Sequence, residues 1–183
     1  MAELKPGVPL LAPDDPALVD LDANATPPAN LYRALAHRPE LLAAWLAFAG
    51  ALRSECALAR ALRELVILRS AALAGARYVW SDHVPMALSA GVRQEQVEAL
   101  GDWRAATVFA RDERAALALA DELARGALAG EQTLAELSAC FTPGERVELA
   151  LTAGFYAMVP RVLSSLRVPL PDRELTVPFP SAR

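Results

Sequence analysis

The chain has 183 residues, 54% of them hydrophobic and 22% charged, enough to bury the core of one domain. A net charge of -4 and a pI of about 5.3 lack the basic footprint of a nucleic-acid binder, and no run of about 18 apolar residues suggests a membrane span. The opening Met1-Ala2-Glu3-Leu4-Lys5-Pro6 lacks the charged-then-apolar layout of a secretion signal, so the expectation is a cytoplasmic protein that engages neither nucleic acid nor membrane.

Residues 1–29 carry Pro6, Pro9, Pro13, Pro16, Pro27 and Pro28. Proline removes a backbone donor and blocks a helix interior, so this stretch reads as an extended arm. The body, 30–168, reads as helical throughout. Asn30 is expected to cap a short helix to about Ala36, and Pro39 fits the first turn of a second helix through Arg53. A long helix is expected from about Cys56 to Leu73, ending near Gly75. Others follow over Tyr78 to Ala90, Gln94 to Leu100 and Asp112 to Arg125. Thr133-Leu134-Ala135-Glu136 and Thr142-Pro143-Gly144-Glu145 both match a capping box. The last helix is expected to reach Leu166 with a kink at Pro160, before a proline-rich tail over 169–183. No segment alternates as a half-buried strand would, so the expected fold class is all-α, a helical bundle.

Two ionisable residues stand out. From Glu64, helical spacing leads forward to Ile67, Leu68 and Ala71 and back to Ala61 and Ala57, an apolar stripe broken by Arg60. A carboxylate there is costly unless paired, and burial by itself raises its pKa toward that of a general base. One reading is therefore a proton-transfer group, the other a structural ion pair with Arg60 or an arginine from another helix. His83 follows Ala76, Val79 and Trp80 at helical spacing, so it is either a proton shuttle or a hydrogen-bonded core residue. His37, beside Arg38-Pro39, reads as a surface residue. Cys56 and Cys140 match no metal or paired-thiol spacing and read as inert buried thiols. No phosphate loop and no metal-ligand pattern is visible, so no cofactor and no metal are expected.

Taken together, Arg63-Glu64-Leu65-Val66-Ile67-Leu68-Arg69 and Tyr78-Val79-Trp80-Ser81-Asp82-His83, followed by Ala87, Gly91 and Val92, resemble the carboxymuconolactone decarboxylase and alkylhydroperoxidase D-like (AhpD-like) family. Asn30 to Pro39 is similar to that family's opening helix pair, and Glu148 to Met158 to its closing helix. The resemblance spans roughly 30–170 and includes the spacing from Glu64 to His83. It implies an AhpD-like bundle that assembles as a trimer, hexamer or dimer, with the arms crossing between subunits.

The family's peroxidase branch carries a C-x-x-C pair at the positions held here by Ala76 and Val79. A disulfide-forming peroxidase needs both thiols, so that mechanism is excluded. The other branch reads Tyr-Glu-Trp before the histidine, whereas this chain keeps Tyr78 and Trp80 around Val79. Valine can neither transfer a proton nor bind a carboxylate. Pro85, lacking an N–H, either opens the turn carrying His83 or is a tolerated kink.

Two functions remain open. In the first, His83 is the general acid-base, Glu64 orients it or shares its proton, and Tyr78 donates a hydrogen bond to a substrate oxygen. Trp80 and Met86 then wall the pocket, and Arg69 receives a carboxylate through paired hydrogen bonds. The small-molecule substrate would be a lactone, an unsaturated acid or a ketone undergoing decarboxylation, isomerisation or ring opening. In the second, the fold persists without catalysis as an oligomeric binding or scaffold protein.

Overall fold

The computed structural model describes residues 5–18, 29–126, 128–170 and 175–180. Among these it contains eight α-helices: α1 (Asn30–Leu35), α2 (Pro39–Ser54), α3 (Arg60–Leu73), α4 (Arg77–Ser89), α5 (Gln94–Ala99), α6 (Arg111–Ala124), α7 (Glu131–Cys140) and α8 (Pro143–Ser165), with short 3-10 turns at Pro16–Leu18 and Leu100–Asp102. The described residues include no strand, so the fold is all-α as expected.

The bundle is organised around α3. Every residue from Leu62 to Ala71 is buried, which happens when a helix is covered on all sides. Helices α4, α6 and α8 surround it. On one side Leu65, Leu68, Trp80, Val84 and Leu117 form the larger core, and on the other Leu62, Val66, Ala116, Leu119 and Leu149 form a second.

Local chemistry sets the boundaries. Pro39 opens α2 as expected, but Asn30 is not a cap. Ala29 occupies that position, and the Asn30 amide instead donates to the Pro169 carbonyl at 3.2 Å. Helix α3 begins at Arg60 rather than near Cys56 because the preceding backbone has another partner: the N–H groups of Ala57 and Leu58 donate to the Glu148 carboxylate at 3.0 and 2.9 Å. Cys56 and Cys140 are half-buried free thiols rather than fully buried ones. Helix α4 runs through Pro85 and α8 through Pro160.

Only the second capping box forms. Thr142 Oγ1 accepts from Glu145 N–H at 3.3 Å, and Glu145 Oε2 accepts from Thr142 N–H at 2.8 Å. Thr133 lies inside α7, which starts at Glu131 after Gly130, and its hydroxyl donates to Glu122 at 2.7 Å. Thr142→Ala is expected to cost about 1 kcal/mol, read as a lower urea midpoint; an unchanged midpoint would contradict the cap.

The described parts of the two arms lie on the body of their own chain. Gly7 N–H donates to Leu166 O at 2.8 Å and Arg33 Nε to Leu11 O at 2.6 Å. Exposed His37 meets the Pro9 carbonyl through Nε2 at 2.8 Å. In the tail, Val177 is buried and its carbonyl accepts from Trp80 Nε1 at 3.0 Å. Among the described residues no helix is long and apolar enough to cross a membrane.

Candidate active site

Helices α3 and α4 bring Glu64 and His83 together. His83 Nδ1 lies 2.8 Å from Glu64 Oε2. The other carboxylate oxygen, Oε1, accepts from Arg60 Nε at 3.1 Å and Nη2 at 3.0 Å. Glu64 is thus the ion-pair partner of Arg60, as the structural reading has it, and also the hydrogen-bond partner of His83.

Burial pushes the Glu64 carboxyl pKa upward. The hydrogen bond and charge of His83, with the Arg60 guanidinium, outweigh that and hold it below the usual carboxylate range. The expectation that burial would make Glu64 a base is thereby corrected: it is an anion near neutral pH. An ionised carboxylate only accepts hydrogen bonds, so Nδ1 of His83 is the donor. In a neutral imidazole that leaves the lone pair on Nε2, and Nε2 has no partner among the described residues.

The imidazole lines a cavity of about 80 Å3. One wall is α4, with Tyr78, Val79, Asp82, His83 and Met86. The rest of the lining includes Leu31 and Tyr32 from α1, Trp45 and Arg53 from α2, and Phe155 and Tyr156 from α8. The Tyr156 ring meets the imidazole edge-on, with centroids 4.9 Å apart at 85°. Phe155 packs on Trp45 at 4.9 Å. The Tyr78 oxygen accepts the Leu31 N–H at 3.1 Å, which ties the start of α1 to the site.

The structure gathers four of the six residues singled out from sequence. Glu64 and His83 form the pair, while Tyr78 and Met86 line the cavity beside it. Trp80 and Arg69 lie elsewhere. Trp80 is fully buried, held by Val177 and by Phe179 at 5.4 Å. Arg69 is buried against α6, with Nε donating to Asp121 Oδ1 at 2.6 Å and Nη1 to Leu100 O at 2.7 Å. Its guanidinium is occupied, so the assignment of Arg69 as a carboxylate receptor is corrected.

Sequence reasoning missed Arg53, Asp82 and Tyr156. Position 82 was legible in principle: it lies one helical turn from Val79, on the same face of α4, and returns a carboxylate to the wall where the family acid is missing. Tyr156 lies in the segment similar to the family's closing helix. Arg53, at the end of α2, had no local signal. Among the described residues no group of three potential ligands gathers as a metal site.

An all-α bundle with a buried carboxylate–imidazole pair at a small cavity is thus the class this chain falls in. The sequence model of the carboxymuconolactone decarboxylase family matches residues 39–122, from the start of α2 into α6, so the chain is similar to that family over this stretch, and its fold is AhpD-like. The comparison with curated proteins returned no match. Among solved structures, a protein of unknown function from Agrobacterium tumefaciens, put forward as an antioxidant defence protein AhpD, superposes with a TM-score of 0.70 at 22% identity, over 76% of this chain and 96% of that one. The debrominase Bmp8, as a cysteine-to-alanine variant with 2,3,4-tribromopyrrole, gives 0.70 at 19% identity over 77% and 76%. An uncharacterized peroxidase-related protein from Silicibacter sp. TM1040 gives 0.68 at 24% over 78% and 76%. At these identities the likeness is one of fold.

Proposed function

We propose that the protein is a cofactor-independent acid–base enzyme in which His83 Nε2 moves a proton and Glu64 holds the imidazole in the reactive tautomer. The observation that carries this reading is the 2.8 Å contact between Nδ1 and Glu64. Because Glu64 stays ionised, the contact leaves the opposite nitrogen as a base on a cavity wall. General acid–base catalysis by a placed side chain contributes about 10^2- to 10^4-fold. Tyr78 and Met86 shape the same wall.

The cavity limits the substrate. At about 80 Å3 it is well below the roughly 300–1,000 Å3 of drug-sized ligand sites. The substrate class is a small lactone, unsaturated acid or ketone, and the reaction a decarboxylation, isomerisation or ring opening through a carbanionic or enolic intermediate. Neither the peroxidase-related nor the debrominase neighbour changes this, since Ala76 and Val79 stand at the paired-thiol positions and no cysteine lines the cavity.

A second reading, a binding protein without turnover, draws on the small cavity and on Val79. The experiment that separates the two is deuterium uptake from D2O into carbon positions of a panel of small lactones, unsaturated acids and ketones, followed by proton NMR. The proton-transfer reading expects exchange with the native protein and none with His83→Ala. Exchange with neither protein, or equally with both, would favour the binding reading.

The protein is also expected to associate with copies of itself. Leu41 and Phe48 on α2 and Val147, Leu151 and Met158 on α8 are exposed, and the two helices pack through Phe48 and Phe155. Exposed large apolar groups on adjoining helices suit an interface. Light scattering at micromolar concentration should give a multiple of 19.5 kDa; a monomer mass would contradict this.

A further inference from the structure

The α4 wall of the cavity carries acceptors, with Asp82 as an acid and His83 as a base. The rest of the lining carries donors: Arg53 on α2, together with Tyr32 on α1 and Tyr156 on α8. Tyr156 is 8% exposed, and its hydroxyl makes no hydrogen bond among the described residues. A hydroxyl on a cavity wall with no protein partner among the described residues can donate to a ligand oxygen.

Burial and then the Glu64 charge push the Tyr156 phenol well above its ordinary pKa, while the Arg53 charge acts on it in the opposite sense. Tyr156 is therefore a donor, not a base. Arg53 makes no ion pair with any described acid. The charged and titratable groups around the cavity are Arg53, Tyr32, Tyr78, Tyr156, Asp82 and His83, with Glu64 and Arg60 behind the imidazole.

We infer that Arg53 and Tyr156, both on the lining of the His83 cavity, form an oxyanion receptor beside the imidazole, which within the proposed substrate class selects the unsaturated acids, bound as small monoanions. The inference rests on the proton-transfer reading for its chemistry. When the C–H bond next to a carbonyl breaks, its proton goes to His83 Nε2. Its electron pair forms the C=C bond of an enolate, and the C=O pair becomes the oxygen charge that the Tyr156 hydroxyl and the Arg53 guanidinium receive. Donors aimed at developing charge in a dry site give large rate effects. Tyr156 is on this account a further catalytic residue, and Arg53 sets the preference for anions.

Trifluoroacetate is a fluorine-labelled monoanion of suitable size, and its binding can be followed by 19F NMR with trifluoroethanol as the neutral comparison. The native protein should bind trifluoroacetate saturably and in preference to trifluoroethanol. Arg53→Gln should weaken binding about tenfold or more and Tyr156→Phe about three- to tenfold, in line with hydrogen bonds to charged groups. Arg53→Lys should retain more affinity than Arg53→Gln, and circular dichroism checks that each variant is folded. His83→Ala should still bind the probe. Saturable binding lost in the receptor variants, with no deuterium exchange on any substrate, would leave the receptor standing and remove the proton-transfer reading. Absence of saturable binding, equal binding of trifluoroethanol, or unchanged affinity in folded Arg53→Gln and Tyr156→Phe would overturn the receptor.

Discussion

Asp121→Ala is expected to lower the melting temperature by about 10 °C. Asp121 is fully buried on α6. Its carboxylate accepts from Arg69 Nε at 2.6 Å, from Arg104 Nη1 and from Trp103 Nε1 at 3.5 Å, with Arg125 Nη2 at 3.6 Å. Removing it strands the buried Arg69 guanidinium between helices. Breaking a buried pair in this way costs about 3–5 kcal/mol, against a total stability of about 5–15 kcal/mol. In a chain of this size each kcal/mol corresponds to roughly 2–4 °C. A loss of less than about 2 °C would show that the knot contributes little.

The same group predicts a pH dependence. Burial pushes the Asp121 pKa up, but the hydrogen bonds and charges of Arg69 and Arg104 outweigh it and hold the carboxyl below its ordinary value. A folded-state pKa below the unfolded one stabilises fully above the unfolded value, about 3.9 for aspartate, and that contribution disappears as pH falls through the folded value. Glu64 is shifted in the same direction. The native protein should therefore lose stability below about pH 4, and Asp121→Asn should lose less over that window while starting lower at pH 7.

The second large effect concerns turnover. Once a substrate shows deuterium exchange, His83→Ala should reduce its rate about 10^2- to 10^4-fold. Glu64→Gln should reduce it about a hundredfold or more, because an amide can donate to Nδ1 and so favour the wrong tautomer. Arg60 is substantially exposed and retains solvent when Glu64 is neutralised, so the Gln variant should stay folded. A Glu64→Gln enzyme as active as the native one would assign Glu64 to packing alone.

Helix positions were legible from the sequence wherever periodicity and a proline or glycine agreed, as at Pro39 and at Gly91 after α4. Boundaries set by distant partners were not. The start of α3 depends on Glu148, some ninety residues away, and Thr133 caps nothing because α7 already starts at Glu131, after a Gly130 whose N–H donates to Glu122. The central pair was legible because Glu64 and His83 each sit on an apolar helical stripe, and the family resemblance joined the two stripes. Arg69 looked available because its partner, Asp121, lies on another helix, although an acid on the apolar face of α6 was itself a signal of a buried base nearby. Tyr156 and Arg53 reach the cavity only through the packing of α8 against α4 and α2, which no local pattern encodes.

The most direct test of the account is the tautomer of His83, read from imidazole nitrogen shifts in 15N-histidine-labelled protein at pH 8, with His37→Gln used for assignment. The account predicts a proton on Nδ1 and a lone pair on Nε2 in the native protein, with that preference weakened or reversed in Glu64→Gln. A native His83 carrying its proton on Nε2, unchanged by Glu64→Gln, would contradict the assignment of Nε2 as the base.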